Sequence, residues 1–242
     1  MSDRIDRVVI TGGSSGIGLD LARRFLAEGS SVLINGQDRE KLERARRSLG
    51  EERRVVAVAG HVGEPATGKA VAAAARERFG GVDVLVNSAG IFGAKPFLES
   101  TVEDLERYFT TNVKGTYLMT QAIVPLMIEG GGGSIVNIGT PFVYQAKTTV
   151  PISAAMASKG GVHALTVALA AELARHHIRV NTLAPGVIRT PLSGDADALA
   201  SIHPLGRIGE VRDTSDAVLF LARADFVTGI TLPVDGGYSH GR

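Results

Sequence analysis

This sequence of 242 residues predicts a single α/β domain: a doubly wound parallel sheet of about seven strands with helices on both faces. Three observations carry that reading. Strand and helix signals alternate along the chain, the pattern of right-handed β-α-β crossovers. The strand candidates are short, apolar and β-branched, as strands buried on both faces must be. The first of them runs through the glycine-rich stretch Thr11-Gly12-Gly13-Ser14-Ser15-Gly16-Ile17-Gly18 into a helix. No Pro/Gly/Ser-rich linker divides the chain, so residues 1–242 read as one domain.

Each element has its own justification. Val8-Val9-Ile10 is a β-branched run at 8–10, and the helix at 18–28 places Leu19, Ala22, Phe25 and Leu26 on one face. A strand at 31–35 leads to Asp38, which reads as the N-cap of a helix at 39–49. In that helix the cluster from Arg44 to Arg47 interleaves with Glu, as on a solvated face. A strand at 55–59, a helix at 66–79 and a strand at 84–87 follow, the last ending in Asn87-Ser88-Ala89-Gly90. A long helix spans 102–128, the run of four glycines at 130–133 is a loop, and a strand at 134–138 ends in Gly139-Thr140. A helix at 153–176 precedes a strand at 179–183, which runs into Ala184-Pro185-Gly186-Val187-Ile188-Arg189-Thr190. A helix at 214–222 and a strand at 231–234 close the fold.

Composition narrows the function. The net charge of +1 gives no basic field for nucleic acid. The chain has no cysteine, which excludes disulfides and thiol chemistry. No apolar run is long enough for a membrane span and the N-terminus is no secretion signal, so no membrane partner and a cytoplasmic location are expected. The six histidines (His61, His163, His176, His177, His203 and His240) are scattered without metal-ligand spacing, so no metal site is expected.

In an open α/β sheet, ligands sit beyond the carboxyl ends of the strands. The residues there are small or polar, which suits close approach of backbone to a ligand. Glycine in the first turn lets backbone N–H groups face a pyrophosphate, and the helix N-terminus adds partial positive charge. Gly12, Ser14, Ser15, Gly16, Ile17 and Gly18 are the expected cradle of a dinucleotide.

Taken together, Thr11 to Gly18, Asn87-Ser88-Ala89-Gly90, Thr111-Asn112-Val113, Ile135 to Thr140, Ala157-Ser158-Lys159-Gly160, Asn181 to Gly186 and Pro233-Val234-Asp235-Gly236-Gly237 resemble the short-chain dehydrogenase/reductase family over essentially the whole chain. The resemblance implies a Rossmann-like sheet of seven strands, a nicotinamide dinucleotide, a small-molecule substrate, and a homo-oligomer, dimer or tetramer. It also implies a catalytic set of Asn, Ser, Tyr and Lys. Asn112 matches the Asn, Lys159 the Lys, and Thr140 stands at the Ser position. The Tyr position, four residues before Lys159, is Ala155. The interval from Thr140 to Ala155 is about two residues longer than the family's usual one. A carbonyl gaining hydride needs a proton, and losing a positioned general acid costs about 10²–10⁴-fold. Tyr144 is the candidate replacement, with a packing or loop-surface role as the alternative. Ser153 is a second, with a helix N-cap as its alternative. His163, one turn beyond Lys159, reads as an interface or surface histidine.

The same resemblance places the cofactor. Lys159 would hold the nicotinamide ribose, and Pro185, Gly186, Ile188 and Thr190 would meet the carboxamide. Asn87, Ala89 and Gly90 would border the adenosine ribose. His61 and Val62 would flank the adenine, His61 as acceptor for its amine or as a plain loop residue. Strand two ends in Asn35-Gly36-Gln37-Asp38-Arg39, without the acid that selects NAD. Neutral Gln37, with Ser14, Ser15 and Arg39 nearby, tilts the choice between NADP and NAD toward NADP. The expected function is an NAD(P)-dependent oxidoreductase of a small carbonyl and alcohol, with an atypical proton donor. Two other readings stay open: a redox-inactive dinucleotide-binding sensor or partner subunit, and a dehydratase or isomerase on the same scaffold. The segment 191–203, rich in small residues and Asp, reads as a short lid that disfavours bulky hydrophobic substrates.

Overall fold

Strand β1 (Arg7–Thr11) shows how the sheet is built. Val8 and Ile10 enter one core and Val9 the other, because successive side chains of a strand point to opposite faces. β2 (Ser31–Gly36) and β4 (Val84–Asn87) repeat this, with Leu33 and Leu85 on the side of Val9. β3 (Val55–Ala59), β5 (Gly133–Ile138), β6 (Ile178–Pro185) and β7 (Thr231–Val234) complete the sheet. This computed structural model describes residues 6–146, 150–194 and 196–240. Of the 191–203 segment, Asp195 lies outside the described residues. The strand order is β3-β2-β1-β4-β5-β6-β7 and every pair is parallel.

Helices α1 (Gly16–Ala27) and α2 (Arg39–Leu49) cover one face of the sheet, and α3 (Pro65–Phe79) covers the other. Asp38 caps α2 as its sequence predicts, accepting from the Lys41 N–H at 2.9 Å. Successive strands are added on one side of β1 as far as β3 and on the other from β4 onward, so the crevice at the carboxyl ends of β1 and β4 is the switch point.

Several boundaries differ from expectation for physical reasons. The helix at 102–128 is not uniform. It runs as α4 (Val102–Tyr108), a wide π-helical turn (Phe109–Lys114) and α5 (Gly115–Glu129). The Thr116 hydroxyl donates to the Asn112 carbonyl at 2.7 Å within this stretch. Helix α6 (Ser153–Leu173) has Ile152, not Ser153, at its N-cap, and Ser153 is an exposed first-turn residue. It ends three residues early, in a 3₁₀ turn (Ala174–His176), before His177 takes a left-handed conformation at φ 57°. Helix α7 (Val211–Arg223) starts sooner than predicted because Glu210 and Asp213 form a reciprocal capping box.

Candidate active site

The sheet brings Thr11, Asn87, Ile138 and Pro185 to one edge, as the ends of β1, β4, β5 and β6. Thr11 joins two of the loops there: its hydroxyl accepts from the Ala89 N–H at 3.0 Å. The glycine turn packs directly on the second loop. A Cβ on Gly12, which has φ +67°, would lie 2.9 Å from the Ala89 backbone, and one on Gly18 would lie 2.4 Å from the Gly12 carbonyl oxygen. Gly16 also has positive φ, at +53°. Side chains are excluded here by close approach of backbone to backbone.

The N-terminus of α1 suits an anion. Ser15 at its N-cap makes no side-chain capping bond, and no acidic residue stands in the first turn. The first-turn N–H groups of a helix have no intrahelical partner, and with the macrodipole they attract negative charge. Thr190 faces this turn: a Cβ on Gly16 would lie 3.3 Å from its methyl group. Ile188 is buried and bridges to Gly209, while Gly186 donates to Val234 O at 3.0 Å. Gln37 is exposed past the end of β2, and Ser14 Oγ lies 3.3 Å from the place a Gly36 side chain would take. Asn87 is buried and donates to Thr120 Oγ1 and Asn137 Oδ1, leaving its own Oδ1 without a partner. These residues fit a dinucleotide laid across the edge.

His61 needs revision. Its Nδ1 accepts from the Gly63 N–H at 3.1 Å, so the neutral ring carries its proton on Nε2, 3.4 Å from Thr111 Oγ1. In this arrangement the ring presents no acceptor to an adenine amine. Val62, beside it, is buried against Gly115.

Asn112, Ser158 and Lys159 come together in the interior. The π-helical turn sets Asn112 opposite Ile91, where its amide pairs with both backbone groups: Oδ1 accepts from the Ile91 N–H at 2.9 Å and Nδ2 donates to Ile91 O at 3.0 Å. Nδ2 also donates to Ser158 Oγ, whose hydroxyl donates to Ala155 O at 2.7 Å. Ser158 therefore ties α6 to the π turn, a role the sequence reading missed because small polar residues inside a helix carry little signal. Lys159 is buried and donates from Nζ to Ile138 O at 2.7 Å. A Cβ on Gly90 would fall 3.1 Å from Nζ and 3.2 Å from Asn112 Oδ1, so both polar atoms face the same loop. Burial lowers the Lys159 pKa to about 8. One turn before it Ala155 is 1% exposed.

Thr140 is buried, and its Oγ1 lies 3.4 Å from the Phe142 N–H. Of the two expectations for His163, interface or surface, the structure does not bear out a plain surface residue. It is half-buried, with Nε2 3.4 Å from the Thr140 N–H and Nδ1 3.4 Å from both Tyr144 Oη and Thr231 Oγ1. Burial, and then the charge of Lys159, push its pKa down to about 4. Tyr144 packs edge-on against His163 and is 57% exposed.

A cavity of about 210 Å³ opens beside Ala155. Phe92, Gly93, Lys95, Tyr108, Ile152 and Ala154 also line it, and Tyr144, Thr140, Asn112 and Lys159 do not. Tyr108 is buried and its hydroxyl lies 3.4 Å from Gly93 O. Sequence reasoning passed over Tyr108. The signal available was its spacing of one helical turn from Asn112. Among the described residues no cluster of three or more His, Asp or Glu could hold a metal ion, and no helix is long and apolar enough to cross a membrane.

A family model described as enoyl-(acyl carrier protein) reductase matches residues 12–239. The galactitol 2-dehydrogenase (L-tagatose-forming) of Cereibacter sphaeroides is 37% identical over 242 residues, covering 95% of this chain and 93% of that one. The crystal structure of 3-ketoacyl-(acyl-carrier-protein) reductase from Brucella melitensis, complexed with NADH, superposes with a TM-score of 0.91 at 33% identity, covering 98% of this chain and 100% of that one. That of a gluconate 5-dehydrogenase from Burkholderia cenocepacia J2315, in complex with NADP and tartrate, gives a TM-score of 0.90 at 35% identity, with 99% and 98% covered.

Proposed function

The chain belongs to the short-chain dehydrogenase/reductase family, and from that premise we propose an NAD(P)-dependent oxidoreductase that interconverts a small carbonyl and alcohol without a tyrosine at position 155. One observation supports this reading above the others. Lys159 keeps its buried place beside Asn112 and Gly90, while the residue one turn before it has no proton to give. A bound nicotinamide dinucleotide supplies or accepts the hydride. The chain's own residues do the rest. The glycine turn and the α1 N-terminus hold the pyrophosphate. The Thr140 hydroxyl orients the carbonyl oxygen. Lys159 places a positive charge where that oxygen becomes an alkoxide. Tyr144 is the weaker choice as donor, because it is 57% exposed and its hydroxyl sits with His163.

Two measurements test this. NADPH or NADH at millimolar concentration is expected to raise the melting temperature, since a ligand that binds only the folded state stabilises it. No shift with either nucleotide would remove the cofactor from the reading. A screen of small ketones and alcohols with both nucleotides is then expected to find turnover, and carbonyl reduction should decline as pH rises through about 8, where Lys159 loses its proton. A rate independent of pH between 6 and 10 would show that the lysine charge is not used.

A homo-oligomer belongs to the same proposal. Val102, Leu105, Phe109, Tyr117 and Val167 are exposed apolar residues on α4, the π turn, α5 and α6. Two-fold pairing is the commonest solution for identical chains. Light scattering is expected to report a dimer or tetramer at micromolar concentration, and a monomer would refute the pairing.

A further inference from the structure

We propose that Tyr108 is the proton donor of this enzyme, acting from the helix opposite the empty position 155. The proposal rests on the oxidoreductase reading above. Three observations carry it. Tyr108 and Ala155 line the same cavity of about 210 Å³, reached from α4 and from α6. Tyr108 stands one helical turn before Asn112, as Ala155 stands one turn before Lys159. Asn112 Oδ1 and Lys159 Nζ in turn lie 3.2 and 3.1 Å from a single point, the place of a Gly90 side chain. A phenol on α4 and a phenol on α6 thus border one cavity, each a helical turn before a residue of the Asn112–Lys159 pair. The third observation is the state of the hydroxyl. It is buried against the Gly93 backbone, with a hydrogen bond to Gly93 O at the long distance of 3.4 Å, which a better acceptor would displace. Gly93 is also where bulk is excluded: a Cβ there would fall 2.8 Å from Tyr108 Oη.

The step balances without a further reactant. As hydride reaches the carbonyl carbon, the C=O π pair moves onto oxygen. The Tyr108 O–H bond breaks and that oxygen takes the proton. Solvent returns a proton to the phenolate, and alcohol oxidation runs the same transfers in reverse. Tyr144 offers the same chemistry but at 57% exposure and against His163.

Tyr108→Phe keeps the ring and removes only the hydroxyl. With a ketone that the native chain reduces, its kcat is expected to fall about 10²–10⁴-fold, the contribution of a positioned general acid. The shift in melting temperature caused by NADPH should stay as in the native chain. The double variant Tyr108→Phe/Ala155→Tyr should recover at least part of the loss, because a phenol is restored across the same cavity. A structural role for Tyr108 would not be rescued in that way. A kcat within threefold of native in Tyr108→Phe, or a loss that Ala155→Tyr leaves unchanged, overturns the proposal while native turnover keeps the oxidoreductase reading in place. Absence of native turnover on the whole screen overturns both.

Discussion

In the Tyr108→Phe background, Ala155→Tyr is expected to increase carbonyl reduction about ten- to a thousandfold, within the range a positioned general acid supplies. The side chain at 155 is buried and borders the cavity, so the new ring enters space that is already there. The phenol would stand one turn from Lys159, whose charge lowers the pKa of a neighbouring hydroxyl. Two effects pull the gain to the lower end. The ring takes volume from the substrate, and the ring at position 108 already lines the same cavity. Steady-state rates with a generic diketone and NADPH decide the matter. Tyr144→Phe is the control and should leave turnover intact, since the hydroxyl it removes belongs to an exposed ring and meets His163. If Ala155→Tyr gains nothing and Tyr144→Phe abolishes turnover, the donor is Tyr144, on the 140–145 loop.

Lys159→Met should cost about 10²–10³-fold in kcat, the usual effect of removing one group that stabilises an oxyanion. Its effect on stability is smaller and depends on pH. The folded lysine releases its proton from about 8, whereas the unfolded one keeps it to near 10.5. Between those values the unfolded chain binds more protons, so native stability rises with pH, by up to about 3 kcal/mol. Below pH 8 the buried charge is a burden on the fold. Met relieves it but leaves Ile138 O without its donor, a loss of about 1–3 kcal/mol. The two nearly cancel at neutral pH. Denaturant melts of the native chain are expected to move to higher midpoints from pH 8 to pH 10, and those of Lys159→Met are not. The same upward movement in the variant would mean that another group carries the titration.

The fold was legible where periodicity is strong. The strands at 55–59, 84–87 and 231–234 match the sequence expectation to the residue, each a short apolar run closed at its carboxyl end by a small or polar residue. Asp38 was legible as a cap because its carboxylate has one obvious local use. The glycine turn was legible because a strand precedes it and a helix follows. What escaped were features set by distant contacts. Local preference favours Ser153 over Ile152 as the N-cap of α6, yet Ile152 takes that place, buried in a cluster with Phe142 and Tyr238. The sequence reads His163 as an interface or surface residue because a helical turn gives direction but not what packs there, and the β5 loop and β7 both reach it. Tyr108 was hidden for the same reason: its neighbours Gly93 and Ala155 lie on other elements.

The wide turn at Phe109–Lys114 also changes how this molecule tolerates a change of length. A regular α-helix advances about 100° per residue. Removing one residue from that turn would let α4 run into α5 as a more regular helix. It would also rotate one segment against the other by about that angle, carrying Asn112 off Ile91 and Ser158 or carrying Tyr108 out of the cavity. The locally better helix is thus the inactive one. Asn112 owes its place to a count of residues as much as to its amide, and a surplus residue is a working part of the site.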